Sequence, residues 1–209
     1  MPLTILVTGF GPFPGAPFNP TGALAQRMVR IRRPALGDVK IIAHVFSTSY
    51  MAVDRELPEL ITKHKPDALL MFGLAPRGRG LRVETRARNA LSLLPDAGGA
   101  SLRRQAIAAG SPTSIKLHTP ARSLLAALRG LRPHTTLSRD AGRYLCNYLC
   151  WRAAETTSTG AGPRLTTFIH VPPVRRGPRR KHDRILPSLN DLTVAGARVL
   201  AALVAAAWR

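Results

Sequence analysis

The run Ala68-Leu-Leu-Met-Phe72, closed by Gly73, constrains the fold more than any other stretch of this chain. Five consecutive apolar residues leave no polar face, so an extended segment here must be covered on both sides. Thr4-Ile-Leu-Val-Thr8, bounded by Gly9, and Leu165 to Val171 read as buried strands too, and Val39 to Phe46 reads as a further strand. Helical spacing fills the intervals. Asn19-Pro-Thr21 is a start signal for a helix running toward Ile31. Val53 to His64 has apolar residues at 53, 57, 60 and 61, and Pro120 to Leu131, Ala141 to Ala154 and Asp191 to Trp208 are further helices. Leu81 to Leu91 alternates and reads as an extended segment carrying Glu84; residues 92 to 118 hold Gly, Pro and Ser clusters and weak signals. Strands separated by helices of this length predict an α/β chain with a parallel or mostly parallel sheet covered on both faces. At 209 residues and 45% hydrophobic composition, one domain with a substantial core is expected.

Chemistry concentrates in two places. In Asp140-Ala-Gly-Arg-Tyr-Leu-Cys-Asn-Tyr-Leu149, Cys146 stands just after a loop that turns into an apolar-periodic helix. His170 ends the apolar run Leu165-Thr-Thr-Phe-Ile-His170, ahead of Val171-Pro-Pro173. A thiol near a helix start and an imidazole at a strand end are the parts of a nucleophile and its base. A nucleophile's base is normally oriented by a third group. Glu84 is one candidate, among Arg79, Arg82, Arg86 and Arg88, where a surface ion pair is the plainer reading; Asp140 and Asp183 are rivals, and spacing alone does not choose. A helix starting near Asp140 or Gly142 would put Cys146 beyond the turn where the dipole acts, leaving most of the activation to His170. Cys150, one helical turn further, reads as a small buried hydrophobe.

Other chemistries lack their signatures. Gly9-Phe-Gly-Pro-Phe-Pro-Gly15 follows a strand, but its glycines miss the GxGxxG spacing, and Pro12 and Pro14 remove N–H groups a pyrophosphate would need. Its phenylalanines, Phe10 and Phe13, with Phe18 beyond, crowd the carboxyl edge of a strand, where open α/β sheets bind ligands. They either plug the core or form an apolar slot for a small flat group. No HExxH, CxxC, GxSxG or P-loop occurs, which argues against a metal or cofactor site.

The formal net charge is +20, from 31 Lys and Arg against 11 Asp and Glu. Such a balance can serve a polyanion partner. Here the basic residues run the length of the chain without interleaved aromatics, so solvated faces are the reading preferred over nucleic-acid binding. The densest run, Arg175 to Arg184, reads as an exposed, mobile loop. Two cysteines four apart offer no disulfide framework and suit a reducing, cytoplasmic setting. The N-terminus lacks a basic n-region. The apolar stretch Val199 to Trp208 is too short to span a membrane and reads as part of a core helix.

Four blocks, in order, carry a resemblance to the pyroglutamyl peptidase I family of cysteine exopeptidases. They are Thr8-Gly-Phe-Gly-Pro-Phe13 with Asn19-Pro-Thr21; Gly73-Leu-Ala-Pro76 with Glu84 and Asn89; Ser138 to Tyr148; and Phe168-Ile-His-Val-Pro172. The chain resembles the family over essentially its whole length. The resemblance implies a single three-layer α/β/α globule with a twisted, mostly parallel central sheet. It implies Cys146 as nucleophile, His170 as base and acid, and Glu84 as the orienting carboxylate. Phe10 and Phe13 are implied to wall the pocket for the pyroglutamyl ring, and Phe18 and Asn19 nearby are expected as further substrate-binding residues. It further implies no metal or organic cofactor, a cytosolic homotetramer, and removal of pyroglutamate from peptide N-termini through a thioester. A relative that binds such peptides without turnover is the alternative within the family. This chain departs from the family in having Thr85 where an arginine is common, in the residues of Leu94 to Ala100, and in the basic run Arg175 to Arg184.

Overall fold

Alternation along the central strands sorts their side chains onto two cores. The computed structural model describes residues 2–13, 15–102, 104–177 and 186–208. Strand β3 (Ala68–Leu74) is buried at every position. Ala68, Leu70 and Phe72 enter one core, and Leu69 and Met71 the other, as a period of two requires. Six strands form the sheet in the order β2 (Val39–Phe46), β1 (Leu3–Phe10), β3, β8 (Leu165–Val171), β4 (Leu81–Glu84), β7 (Thr135–Ser138). The first four are mutually parallel; β4 is antiparallel to β8 and parallel to β7. A two-stranded antiparallel ribbon, β5 (Arg86–Arg88) with β6 (Ser114–Lys116), stands apart from the sheet.

Helices cover both faces. On one, α1 (Pro20–Val29), α3 (Ala121–Leu128) and α5 (Leu189–Ala207) bury Leu24, Met28, Leu124, Leu128, Leu200 and Leu203 against the sheet. On the other, α2 (Tyr50–His64) and α4 (Leu145–Ser158) contribute Val53, Leu57, Tyr148, Leu149 and Trp151. The architecture is the mostly parallel, three-layer α/β arrangement expected. Among the described residues, α5 is the one helix long and apolar enough to cross a membrane. Here its apolar positions pack on α1, α3 and the sheet instead, the core-helix role read from the sequence.

Several boundaries differ from the sequence reading. Helix α2 begins at Tyr50, ahead of Val53. Helix α4 begins at Leu145, four residues after the expected start. The reason is local: Gly142 has φ +87°, and the Asp140 carboxylate accepts a hydrogen bond from its N–H, closing a turn that a helix cannot contain. Strand β7 has no counterpart in the sequence reading, because Thr-Thr-Leu-Ser lacks an apolar face and pairs only where β4 offers an unfilled edge. Within the basic run Arg175 to Arg184, residues 178 to 184, among them the candidate carboxylate Asp183, lie outside the described residues, as does Pro14; Arg175 to Gly177 are exposed.

Candidate active site

Register places the titratable groups before any side-chain detail is considered. On β8, Ile169 and Val171 enter the core beneath α1, α3 and α5, so Phe168 and His170 point to the α2–α4 face. On β4, Leu81 and Val83 enter that same first core, which turns Arg82 and Glu84 to the α2–α4 face as well. Antiparallel pairing sets Glu84 opposite Phe168 and Arg82 opposite His170. The result is a 2.7 Å contact between His170 Nδ1 and Glu84 Oε1, with both side chains buried. Glu84, rather than Asp140, is thus the carboxylate that meets the imidazole. Asp140 instead pairs with Arg88 at 2.8 Å.

Cys146 completes the line from above. It is the second residue of α4, inside the first turn, where backbone N–H groups have no carbonyl partner within the helix. The positive end of the helix dipole therefore falls at the sulfur, contrary to the modest role expected of it from a helix starting at residue 140 to 142. The thiol packs down onto β3: a Cβ built on Gly73 would lie 2.8 Å from Cys146 Sγ and 2.4 Å from Phe168 Cζ. Only glycine leaves room for the sulfur there. Cys146 and His170 border one pocket. Because Nδ1 is engaged by Glu84, Nε2 is the nitrogen left for the thiol. Burial alone would push the imidazolium pKa down; the charge and hydrogen bonding of Cys146, then of Glu84, outweigh it and raise the pKa to about 9.

The pocket, about 250 Å³, is walled by Phe10 and Phe13 and floored by Leu74, Ala75 and Leu145. Four larger grooves lie elsewhere: about 460 Å³ along the β2 edge, 610 Å³ beside the β7 end of the sheet, 370 Å³ between α2 and α4, and 290 Å³ beside the C-terminal end of α2. They have no cysteine in their walls, so chemistry points to the smaller cleft despite its size. Asn19 also borders the pocket, but much of its bonding is local: Nδ2 donates to Gly11 O, and Oδ1 accepts from Thr21 N–H as the cap of α1. Phe18 does not border the pocket. It is 46% exposed and stacks under the Arg176 guanidinium, so its expected place at the ring slot is corrected. Phe10 and Phe13 do border the pocket. Among the described residues no group of three His, Cys, Asp or Glu could hold a metal ion.

The family model described as pyroglutamyl peptidase matches residues 3–208. The chain belongs to this family. The pyrrolidone-carboxylate peptidase of Pyrococcus furiosus is 30% identical over 81% of this chain and 81% of its own length. That of Pseudomonas fluorescens is 29% identical over 98% of this chain and 92% of its own. The crystal structure of Bacillus amyloliquefaciens pyroglutamyl peptidase I superposes with a TM-score of 0.82 at 25% identity, covering 97% of each chain. The four blocks that resemble pyroglutamyl peptidases in sequence all come together at the pocket: Phe10 and Phe13, Leu74 to Pro76 with Glu84 beneath, Cys146, and His170.

One supporting residue went unread in the sequence. Asn147, beside the thiol and fully buried, accepts from Arg88 N–H and donates to Arg88 O and Ala90 O. It ties the first turn of α4 to the ribbon that follows Glu84. An amide adjoining the candidate nucleophile was its only sequence signal. Asn89, quoted in the second block, likewise braces Ala108 through both its amide atoms.

Proposed function

We propose that the chain is a cysteine exopeptidase that removes N-terminal pyroglutamate from peptides, with Cys146 as nucleophile, His170 as base and acid, and Glu84 as the carboxylate that orients and charges the imidazole. The observation that carries this reading is the alignment of these three groups beneath a pocket walled by Phe10 and Phe13. Pyroglutamate has a lactam where ordinary peptides carry an ammonium. An apolar wall penalises an unpaired ammonium strongly, and backbone groups matched to the lactam would exclude proline.

The Cys146 sulfur attacks the pyroglutamyl carbonyl, and the carbonyl oxygen becomes an oxyanion. The Cys146 backbone N–H, in the first turn of α4, is the donor available to it; one such donor is worth roughly 3 kcal/mol in the transition state. His170 then gives its proton to the departing nitrogen as the C–N bond breaks, leaving a thioester. Water attacks the thioester, His170 takes the water's proton, and the C–S bond breaks to release pyroglutamate and the thiolate.

The 209 residues act as one catalytic domain. Two free cysteines, Cys146 and Cys150, fit a cytoplasmic setting. Exposed Met51, Leu93 and Leu94 are consistent with a homo-oligomer; a monomeric mass by light scattering would count against that. Fluorophore release from a pyroglutamyl-coumarin amide tests the activity. It is expected for the wild type and lost on Cys146→Ala, on His170→Ala and after iodoacetamide. Folded wild-type protein that turns nothing over between about pH 6 and 9 overturns the reading. Ligand-dependent melting without turnover would identify a relative that binds only.

A further inference from the structure

The pocket carries a cation on the wall where the leaving peptide sits. Arg82 lies directly opposite His170 in the antiparallel β4–β8 register, and directly opposed residues project from the same face of a sheet. Both side chains line the pocket. Arg82 Nε is 3.6 Å from Glu84 Oε1, buried and without a hydrogen-bond partner, whereas the side chain as a whole is 41% exposed. The inner part of the guanidinium is thus held beside the His170–Glu84 pair, and its remaining donors are available at the opening. Arg143, on the turn before α4, adds a second, exposed cation to the rim. Among the described residues no Asp or Glu lines the pocket; Glu84 is buried below and occupied by His170.

Direction follows from the chemistry. With the acyl ring between Phe10 and Phe13, the departing nitrogen must come within reach of His170 to receive its proton. The residue after pyroglutamate is then held on the His170 side, beside Arg82. We propose that the site selects peptides with aspartate or glutamate directly after pyroglutamate, and that Arg82 is the residue that reads this carboxylate, with Arg143 reinforcing the field. The inference rests on the pyroglutamyl-peptidase reading. A carboxylate there gains a charge-assisted contact with a planar fork of donors. A lysine in its place meets like charge in a partly dry cleft.

The test compares kcat/KM for three peptides that differ only at the residue after pyroglutamate: Asp, Ala and Lys. The wild type is expected to favour Asp over Ala by roughly five- to tenfold, the scale of one or two partly exposed charge contacts, and to disfavour Lys by a similar factor. The preference should shrink as salt is raised. In Arg82→Gln the Asp-to-Ala ratio falls toward one, and in Arg82→Lys part of it returns. The ratio is the readout because a merely structural fault at Arg82 would slow all three peptides together. Equal kcat/KM for the three in a wild type that cleaves the Ala peptide overturns the inference alone. A wild-type preference unchanged in Arg82→Gln overturns the assignment to Arg82. No cleavage of any peptide overturns the underlying activity instead.

Discussion

The Cys146 sulfur occupies the space that a side chain at Gly73 would take, 2.8 Å from where a Cβ would stand. The thiol is held against the backbone of the central strand, with Phe168 closing the same gap from β8. Neither neighbour can yield easily: Phe168 is fully buried, and Cys146 is fixed by the first turn of α4. Gly73→Ala is therefore expected to cost about 1–3 kcal/mol in stability through overpacking, and to displace the sulfur. A fall in kcat/KM larger than the stability loss explains, measured well below the melting temperature, checks the second effect. Unchanged kinetics in Gly73→Ala would show that the thiol does not need this seat.

His170 holds a proton in the folded chain up to about pH 9, against 6.5 for an ordinary imidazole, because the attraction of Cys146 and Glu84 exceeds the cost of burial. Two consequences have definite signs. The stabilisation linked to this raised pKa is complete below pH 6.5 and is lost as pH rises toward 9, so urea midpoints should decline over that window. The decline should flatten in His170→Ala. The proposed mechanism has the imidazolium protonate the leaving nitrogen, so kcat/KM should fall on an alkaline limb near pH 9. Glu84→Gln removes one of the charges that sustain the proton. Its alkaline limb should move to lower pH, and kcat should drop by roughly 10²- to 10⁴-fold, the range for loss of a base-orienting carboxylate.

The two cysteines, one turn apart, differ in environment. Cys150 is fully buried, and burial first, then the charges of Cys146 and Glu84, push its pKa well above the usual thiol value. Cys146 is partly exposed at the pocket. Native protein should take up one equivalent of iodoacetamide, at Cys146, with loss of activity, and Cys146→Ala should take up almost none until unfolded. Mass spectrometry of the alkylated peptide distinguishes the sites. Rapid native labelling of Cys150 would contradict the packing around α4.

Asn147 replaces three backbone contacts that the ribbon after Glu84 lacks on that side, from Arg88 N–H and to Arg88 O and Ala90 O. Asn147→Ala leaves those groups short of partners, at a cost of about 2–4 kcal/mol. For a chain of this size the melting temperature should fall by roughly 5–15 °C. A calorimetric shift under 2 °C would mean that water or repacking satisfies them.

Much of this protein is legible in its residue order. Continuous apolar runs at Ala68 to Phe72 and Leu165 to Val171 can be satisfied only by strands covered on both faces, and both are where the sequence places them. Val39–Phe46 is reproduced residue for residue, and Asn19 caps α1 as its side-chain chemistry dictates. These features are local: burial pattern, capping and turn chemistry act within a few residues. Cys146, with its surrounding block, and His170 stand out for the same reason. What the chain order does not contain is which distant groups meet. Glu84 reaches His170 across 86 positions because β4 inserts antiparallel beside β8 in a register that aligns their faces. Asp140, equally acidic and nearer in sequence, is drawn instead to Arg88 and the Gly142 turn. Strand β7 forms from a polar tetrapeptide because an edge awaits it, and Phe18 turns outward although its neighbours in the block line the pocket. Local propensity selects the elements, whereas partners far apart in sequence are selected by sheet pairing and by the exclusion of water between layers, which no short segment encodes.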